Sequence, residues 1–180
     1  MPESYLALLR GINVGGKNKI LMKDLSATFV DAGCKNVRTF IQSGNVIFDA
    51  PARLSTRVPG VITARIAESH GYKTPVLVRS LTELADAITN NPFLSAGAPE
   101  DALHLLFLAD EPDPARVLAL DPNRSPPDEY IVRGREVYLR LRNGAADTKL
   151  TNAYFDSKLA TTSTGRNWRT VTKLLDLMKG

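Results

Sequence analysis

Apolar positions along the chain set out its elements. Tyr5 to Arg10 opens with the run Tyr-Leu-Ala-Leu-Leu and meets Gly11, which predicts a buried strand. A glycine-rich loop follows, Gly11 to Asn18. Leu21, Leu25 and Phe29 then recur every four residues, with Ala32 three further on, marking one face of a helix. Gly33 is its stop signal, and no strong N-cap precedes it. Val37 to Gln42 and Val46 to Phe48 are rich in β-formers around Ser43-Gly44-Asn45, the pattern of a hairpin. A helix is predicted over Ser55 to His70, with Pro59 in its first turn and Gly71 at its end. Thr74 to Arg79 is the next strand. Ser80 and Glu83 have capping-box spacing, opening a helix that carries Leu84 and Ile88 and stops before Pro92.

The pattern then partly repeats. Asn91 to Asp101 is rich in Pro, Gly and Ala and reads as a linker. Leu103 to Leu108 is a strand, and Asp113-Pro114 caps a short helix. Tyr130 to Arg133 and Val137 to Arg142 form a hairpin around Gly134. Helices are expected near Leu150 to Leu159 and from Arg166 to Met178, the last with Trp168, Val171, Leu175 and Met178 on one stripe. The first half is β-α-β-β-α-β and the second β-α-β-β-α-α. The expected fold is α+β: two tandem ferredoxin-like (α/β plait) halves with mostly antiparallel sheets and helices on one face. The boundaries are residues 1–90 for the first domain with an added helix, 91–101 for the linker, and 102–180 for the second domain.

Composition narrows the partners. With 43% hydrophobic and 23% charged residues the chain is globular, and 180 residues bury a core without disulfides or metals. The net charge of +4 permits a phosphate-bearing partner without demanding one. One cysteine, Cys34, and two histidines, His70 and His104, leave no disulfide framework and no Cys/His zinc site. The carboxylates are scattered, so no metal and no cofactor is expected. Short apolar runs and a start lacking a basic region point to the cytoplasm, with no membrane partner. The sequence carries no signal for an oligomeric state.

Four stretches could carry chemistry. Gly11 to Lys17 fits G-x-x-x-x-G-K after a strand, but Asn18 stands where a P-loop needs Ser or Thr, and the helix begins late. What remains is either a connection needing positive φ at Gly15 or Gly16, or an anion seat strengthened by Arg10, Lys17 and Lys19. Gln42-Ser43-Gly44-Asn45 reads as a tight turn, and neither histidine is placed to act as a base for Ser43. Strand faces bearing Arg38, Phe40 and Gln42, or Tyr138, Arg140 and Arg142, suit RNA if a sheet face is open, although no RNP-type motif is present. Arg166, Arg169 and Lys173 lie on the polar side of the last helix, where charged residues are usually solvated.

Together these stretches resemble one family. Tyr5 to Asn18, Thr39 to Phe48, Asn91-Pro92-Phe93 and Arg166-Asn167-Trp168 are similar to the signature of the bacterial family known as domain of unknown function 1697. The resemblance spans nearly the whole chain, apart from a stretch of about Ala109 to Asp128. It implies two ferredoxin-like plaits in tandem and brings no activity, cofactor or catalytic residue. Its polar positions are Arg10, Asn13, Lys17, Gln42, Ser43, Asn45, Arg166 and Asn167.

The expected function is a binding module for an anionic ligand, either nucleic acid or a phosphorylated small molecule, with Gly15 and Gly16 presenting amides beside those polar positions. Two alternatives stand beside it. One is an interaction or scaffold protein with no catalysis. The other is a small enzyme whose pocket joins the glycine loop, the Gln42 to Asn45 turn and Arg166-Asn167.

Overall fold

The computed structural model describes residues 1–180. The elements are β1 (Glu3–Leu9), α1 (Met22–Asp31), β2 (Lys35–Phe40), β3 (Asn45–Ala50), α2 (Ala52–Ser55), α3 (Val58–His70), β4 (Val76–Ser80), α4 (Leu81–Thr89), α5 (Pro92–Ser95), β5 (Leu103–Leu108), α6 (Pro114–Leu118), β6 (Glu129–Arg133), β7 (Glu136–Arg140), α7 (Asn152–Leu159), β8 (Ser163–Asn167) and α8 (Trp168–Lys179). They form two compact units, Met1–Ala85 with Leu174–Gly180, and Asp86–Lys173. Each contains one four-stranded antiparallel sheet, in the orders β2-β3-β1-β4 and β6-β7-β5-β8. The α+β expectation holds.

In the first unit β1 is central, pairing Tyr5 with Phe48 of β3 and Ser80 of β4. Alternation splits its side chains. Tyr5, Ala7 and Leu9 join Val46, Phe48, Leu25, Phe29, Ile62 and Ile66 in one core, each fully or almost fully buried. Each aliphatic or aromatic side chain removed from water there stabilises the fold by roughly 1.5–3 kcal/mol. The opposite face is closed as well. Leu6, Leu8, Ile47, Leu77 and Arg79 are each at most 3% exposed. In the second unit Leu106, Leu108, Val137, Leu139 and Phe155 form the corresponding core. Leu103, Leu105, Phe107 and Tyr138, on the other face, are also buried. Tyr138 Oη donates to the carbonyl of Ala87 at 2.7 Å. The central strands are apolar on both sides and both sides are covered, so they offer RNA no open face; β2, which carries Arg38 and Phe40, stays partly exposed at the edge of its sheet.

Several local signals read true. Ser80 Oγ accepts from Glu83 N at 3.2 Å while Glu83 Oε2 accepts from Ser80 N at 2.8 Å, a closed capping box. Asp113 caps α6 through Ala115 N. Gly71 ends α3 in the left-handed region. Within the stretch read as a linker, Asn91 Oδ1 caps α5.

Two readings need correction. The helix expected from Ser55 to His70 is broken into α2 and α3 at Thr56–Arg57. Pro59 has no N–H to give the carbonyl four residues back, so the turn cannot run through. The second correction is larger. Residues 163–167 form β8, antiparallel to β5, with Leu105 opposite Arg166 and Leu108 opposite Ser163. Arg166 and Asn167 end a strand rather than start a helix, and α8 begins at Trp168. Its apolar stripe is as expected, with Trp168, Val171, Leu175 and Met178 all buried.

Cys34 is buried, and burial pushes its thiol from an ordinary 9.0 up to about 11. The sign follows from which state ionises first. Above pH 9 the unfolded chain loses the proton while the folded one keeps it, so stability falls as pH rises from 9 to 11. Cys34→Ala should lack this loss. The urea midpoints of the two proteins, compared at pH 8 and pH ~10, check it.

Candidate functional site

Ten residues were candidates, and eight of them lie in the first unit around the glycine loop. The loop is a miniature hairpin. Val14 and Lys17 bridge, with Lys17 N donating to Val14 O at 3.0 Å. Gly15 and Gly16 sit between them at φ 57° and 74°, both left-handed, the signature of a type I′ turn. Only glycine adopts both positions without strain. Because the two φ angles share one sign, the amides do not alternate in hand as an αR-αL anion nest requires. Lys17 is exposed at the tip.

Asn13 ties this hairpin to the rest of the unit. Its Nδ2 donates to Ile20 O at 3.0 Å and to Gln42 O at 3.1 Å, while its Oδ1 accepts from Ile20 N at 2.9 Å. Asn13 itself has φ 54°, a region asparagine tolerates. Asn18 Nδ2 closes the loop base on Gly11 O. The glycine loop and the Gln42 to Asn45 turn are thus brought together, through one side chain and through Leu9 N donating to Gly44 O at 2.8 Å.

Within the turn the roles divide. Asn45 is fully buried, its Nδ2 donating to Phe40 O and to Ser43 Oγ. These bonds hold the turn. Gln42 is exposed and lines a groove. Arg10 is half-buried, its backbone N bonded to Pro75 O and its carbonyl accepting Thr74 Oγ1 at 2.6 Å.

That groove has a volume of about 540 Å³ and is bordered by Asn13, Gly16, Gln42, the segment Lys19 to Met22, Asp24 and His70. It receives the first turn of α1. Leu21 occupies the N-cap and offers no side-chain bond, so the amide end of a ten-residue helix lacks a side-chain cap. Anions are stabilised at such ends. Lys17, Lys19 and Lys23 are exposed nearby in the chain, against the single carboxylate of Asp24. At the groove's border His70 Nδ1 lies 2.7 Å from Ser69 Oγ, and outside the groove lining Tyr72 Oη donates to Lys19 O at 3.2 Å. Burial raises the Tyr72 hydroxyl above its ordinary value, keeping it a donor. Sequence reasoning missed Ile20 to Met22, Asp24 and His70 as groove residues. Nothing local marks them, because Lys19 and His70 come to line one groove only through the fold.

Arg166 and Asn167 belong to the second unit. Arg166 Nη1 donates to Thr164 Oγ1 and to Gly165 O, both at 2.8 Å, within its own strand. Burial lowers its guanidinium to about 10. Asn167 Oδ1 accepts from Thr170 N, capping the start of α8. Both side chains serve local structure.

Charge divides unevenly between the units. The first carries twelve Lys and Arg against seven Asp and Glu, the second eleven against twelve. The whole positive excess therefore lies in the unit that holds the groove.

The geometry defines an α+β protein of two four-stranded antiparallel sheets with a small groove on its first unit, where Lys19 stands against Asp24. The chain belongs to the DUF1697 family, proteins of unknown function, whose family model matches residues 2–138; Arg166 and Asn167 lie beyond that span. No curated protein matches the chain. Among solved structures it is similar to a conserved bacterial protein, SP0830 from Streptococcus pneumoniae, with 20% identity, 99% of each chain covered and a TM-score of 0.74. At that identity the likeness shows the fold alone. No helix is long and apolar enough to cross a membrane.

Proposed function

We propose that the chain is a binding module for a small anionic ligand, such as a phosphorylated small molecule, seated in the groove beside the glycine loop. One observation carries the reading: the uncapped amide end of α1 opens into a groove bordered by Gln42 and Lys19. The positive excess of the first unit supports it. Nucleic acid is the weaker occupant, because the central strands are buried on both faces and no Phe, Tyr or Trp borders the groove. The scaffold each unit supplies is read as a ferredoxin-like plait, two in tandem. Strand β8 supports this by giving the second unit the same strand order as the first.

A second reading is favoured by a different observation. Asn13, Asn45, Arg166 and Asn167 all direct side-chain bonds to the backbone around them, which suits an interaction or scaffold protein whose polar signature maintains the fold. The enzyme reading loses ground for the same reason.

One substitution separates these readings. Leu21→Asp supplies the missing N-cap, and should raise the melting temperature by about 3 °C, the equivalent of ~1 kcal/mol in a chain of this size. Its carboxylate would also occupy the helix end and repel an anion. Calorimetric titration with inorganic pyrophosphate should therefore show binding to the parent, little to Leu21→Asp, and a loss of about threefold to fivefold for Lys19→Ala. Affinity should fall as NaCl rises. A parent protein that binds no pyrophosphate, or a Leu21→Asp protein that binds it equally well, leaves the scaffold reading.

A further inference from the structure

We infer that β6 is a self-association edge: two copies of the chain pair their β6 strands antiparallel about a two-fold axis through Ile131. β6 is an outer strand of the second sheet. Its pairing with β7 runs without a bulge from Glu129 opposite Arg140 to Arg133 opposite Glu136. Backbone bonds at both ends of β7 fix which way each residue turns. Leu108 N donates to Arg135 O at 2.8 Å, and Leu141 N donates to Ala102 O at 2.7 Å. Residues 135 and 141 therefore face β5, and alternation turns Val137 and Leu139 the same way. Glu136, Tyr138 and Arg140 face β6, where they meet Arg133, Ile131 and Glu129. Tyr130 and Val132 are left with N–H and C=O directed away from the sheet. No hydrogen bond within the chain takes those four groups.

The exposed outer strand of the first sheet is blunted. β2 carries Lys35, a left-handed Asn36 and a register shift between Lys35 and Arg38. Such devices discourage edge pairing. β6 has no lysine, no proline and no bulge, and its apolar run Tyr130-Ile131-Val132 is only half-buried.

Charge selects a second copy as the occupant. Glu129 and Arg133 stand at equal spacing on either side of Ile131, on the same face of the strand. A two-fold axis through Ile131 sets Glu129 against the partner's Arg133, and Arg133 against the partner's Glu129, as a self-complementary contact requires. Glu129 meets Arg140 and Arg142 through Oε2 and is 47% exposed, so Oε1 is placed to take the partner's Arg133. The same axis sets Tyr130 opposite the partner's Val132 and Val132 opposite the partner's Tyr130. Their outward groups then close four backbone hydrogen bonds. Ile131 meets its own copy as a non-hydrogen-bonded pair, with Cα atoms about 4.5 Å apart and side chains in contact. Centring the axis on Tyr130 or Val132 leaves two such backbone bonds within the strand and parts the charges.

Sedimentation equilibrium of the full chain tests this, in a series reaching millimolar concentration because the interface is small. The weight-average mass of the parent should rise toward twice that of the monomer. Ile131→Lys sets two lysines face to face and should weaken the dimer by about tenfold or more. Glu129→Lys and Arg133→Glu each oppose like charges in their own dimers and should weaken it by about as much. Mixed in equal amounts, these two variants should regain the affinity of the parent, because every charge pair across that heterodimer is again of opposite sign. Melting curves show that each variant is folded, and loss of fold would not be rescued by mixing. A parent that stays monomeric throughout overturns the proposal. A dimer that Ile131→Lys leaves intact uses another surface and also overturns it. So does a mixture of the two folded charge variants that fails to associate. The anion site of the first unit stands or falls separately from each of these results.

Discussion

Gly44→Ala should be among the most damaging single substitutions in the first unit, costing about 3–4 kcal/mol. Two effects add. Gly44 has φ +79°, so any side chain pays roughly 1 kcal/mol for the left-handed backbone. Space is the larger effect. A Cβ there would stand 2.8 Å from Leu9 Cβ, 2.9 Å from Leu9 O and 3.1 Å from Ile12 Cδ1. Leu9 and Ile12 are each 1% exposed, so neither can yield without disturbing the core. The Leu9 carbonyl is backbone and cannot rotate away. Relief requires lifting the turn, which breaks the Leu9 N to Gly44 O bond. At about 2–4 °C per kcal/mol for a chain of this size, the melting temperature should fall by roughly 10 °C. Gly16→Ala is the control. It has φ +74° but nothing within 4 Å of a new Cβ, so it pays only the backbone penalty, a fall of about 3 °C. Equal falls for the two variants, by calorimetry, would show that close approach contributes nothing.

Legibility in the sequence followed the range of the interaction. Signals contained within a few residues were readable. The run Tyr5 to Leu9 is apolar without interruption and became a central strand. Ser80 and Glu83 cap each other as their spacing required. Strand β8 was not readable. Ser163-Thr164-Gly165-Arg166-Asn167 has no apolar alternation, because its place is fixed by pairing with β5 rather than by burying hydrophobic side chains. The strong stripe that begins at Trp168 then drew the predicted helix two residues too far toward the N-terminus.

The candidate site was legible in kind but not in arrangement. The glycine loop and the Gln42 to Asn45 turn stood out as polar loop segments. That they meet depends on Asn13 reaching across to Gln42, twenty-nine residues later in the chain. The family resemblance suggested ligand contact for Asn13, Asn45 and Arg166 alike. Their hydrogen bonds show a different physical need: backbone groups at irregular turns lack ladder partners, and amide and guanidinium side chains supply them. Periodicity put Leu21 on the buried face of the helix and Ile41 in a strand, yet Leu21 is the exposed N-cap and Ile41 is exposed beyond β2, since only coordinates show which hydrophobic positions are left in water.

Asn13→Ala should open the knot, at a cost of about 2–3 kcal/mol. The estimate takes three hydrogen bonds of roughly 1 kcal/mol each, discounted because Asn13 is only half-buried and water can replace part of the loss. It adds roughly 1 kcal/mol for placing alanine at a left-handed φ. Asn13→Gly recovers that backbone portion and isolates the side-chain bonds. The local signature is sharper than the global one. Ile20 N donates to Asn13 Oδ1, so its amide should exchange with deuterium about tenfold faster or more in either variant, ahead of the amides of β1. If Ile20 exchanges no faster, the bond is not holding the loop. The same variant also sets a limit on what mutagenesis of this groove can establish. Because Asn13 positions Ile20 and Gln42 together, its loss deforms the wall along with any contact, so a binding defect in Asn13→Ala reports architecture. Direct contact is reported by Lys19→Ala, whose side chain is exposed on the margin and whose removal leaves the three bonds of Asn13 in place.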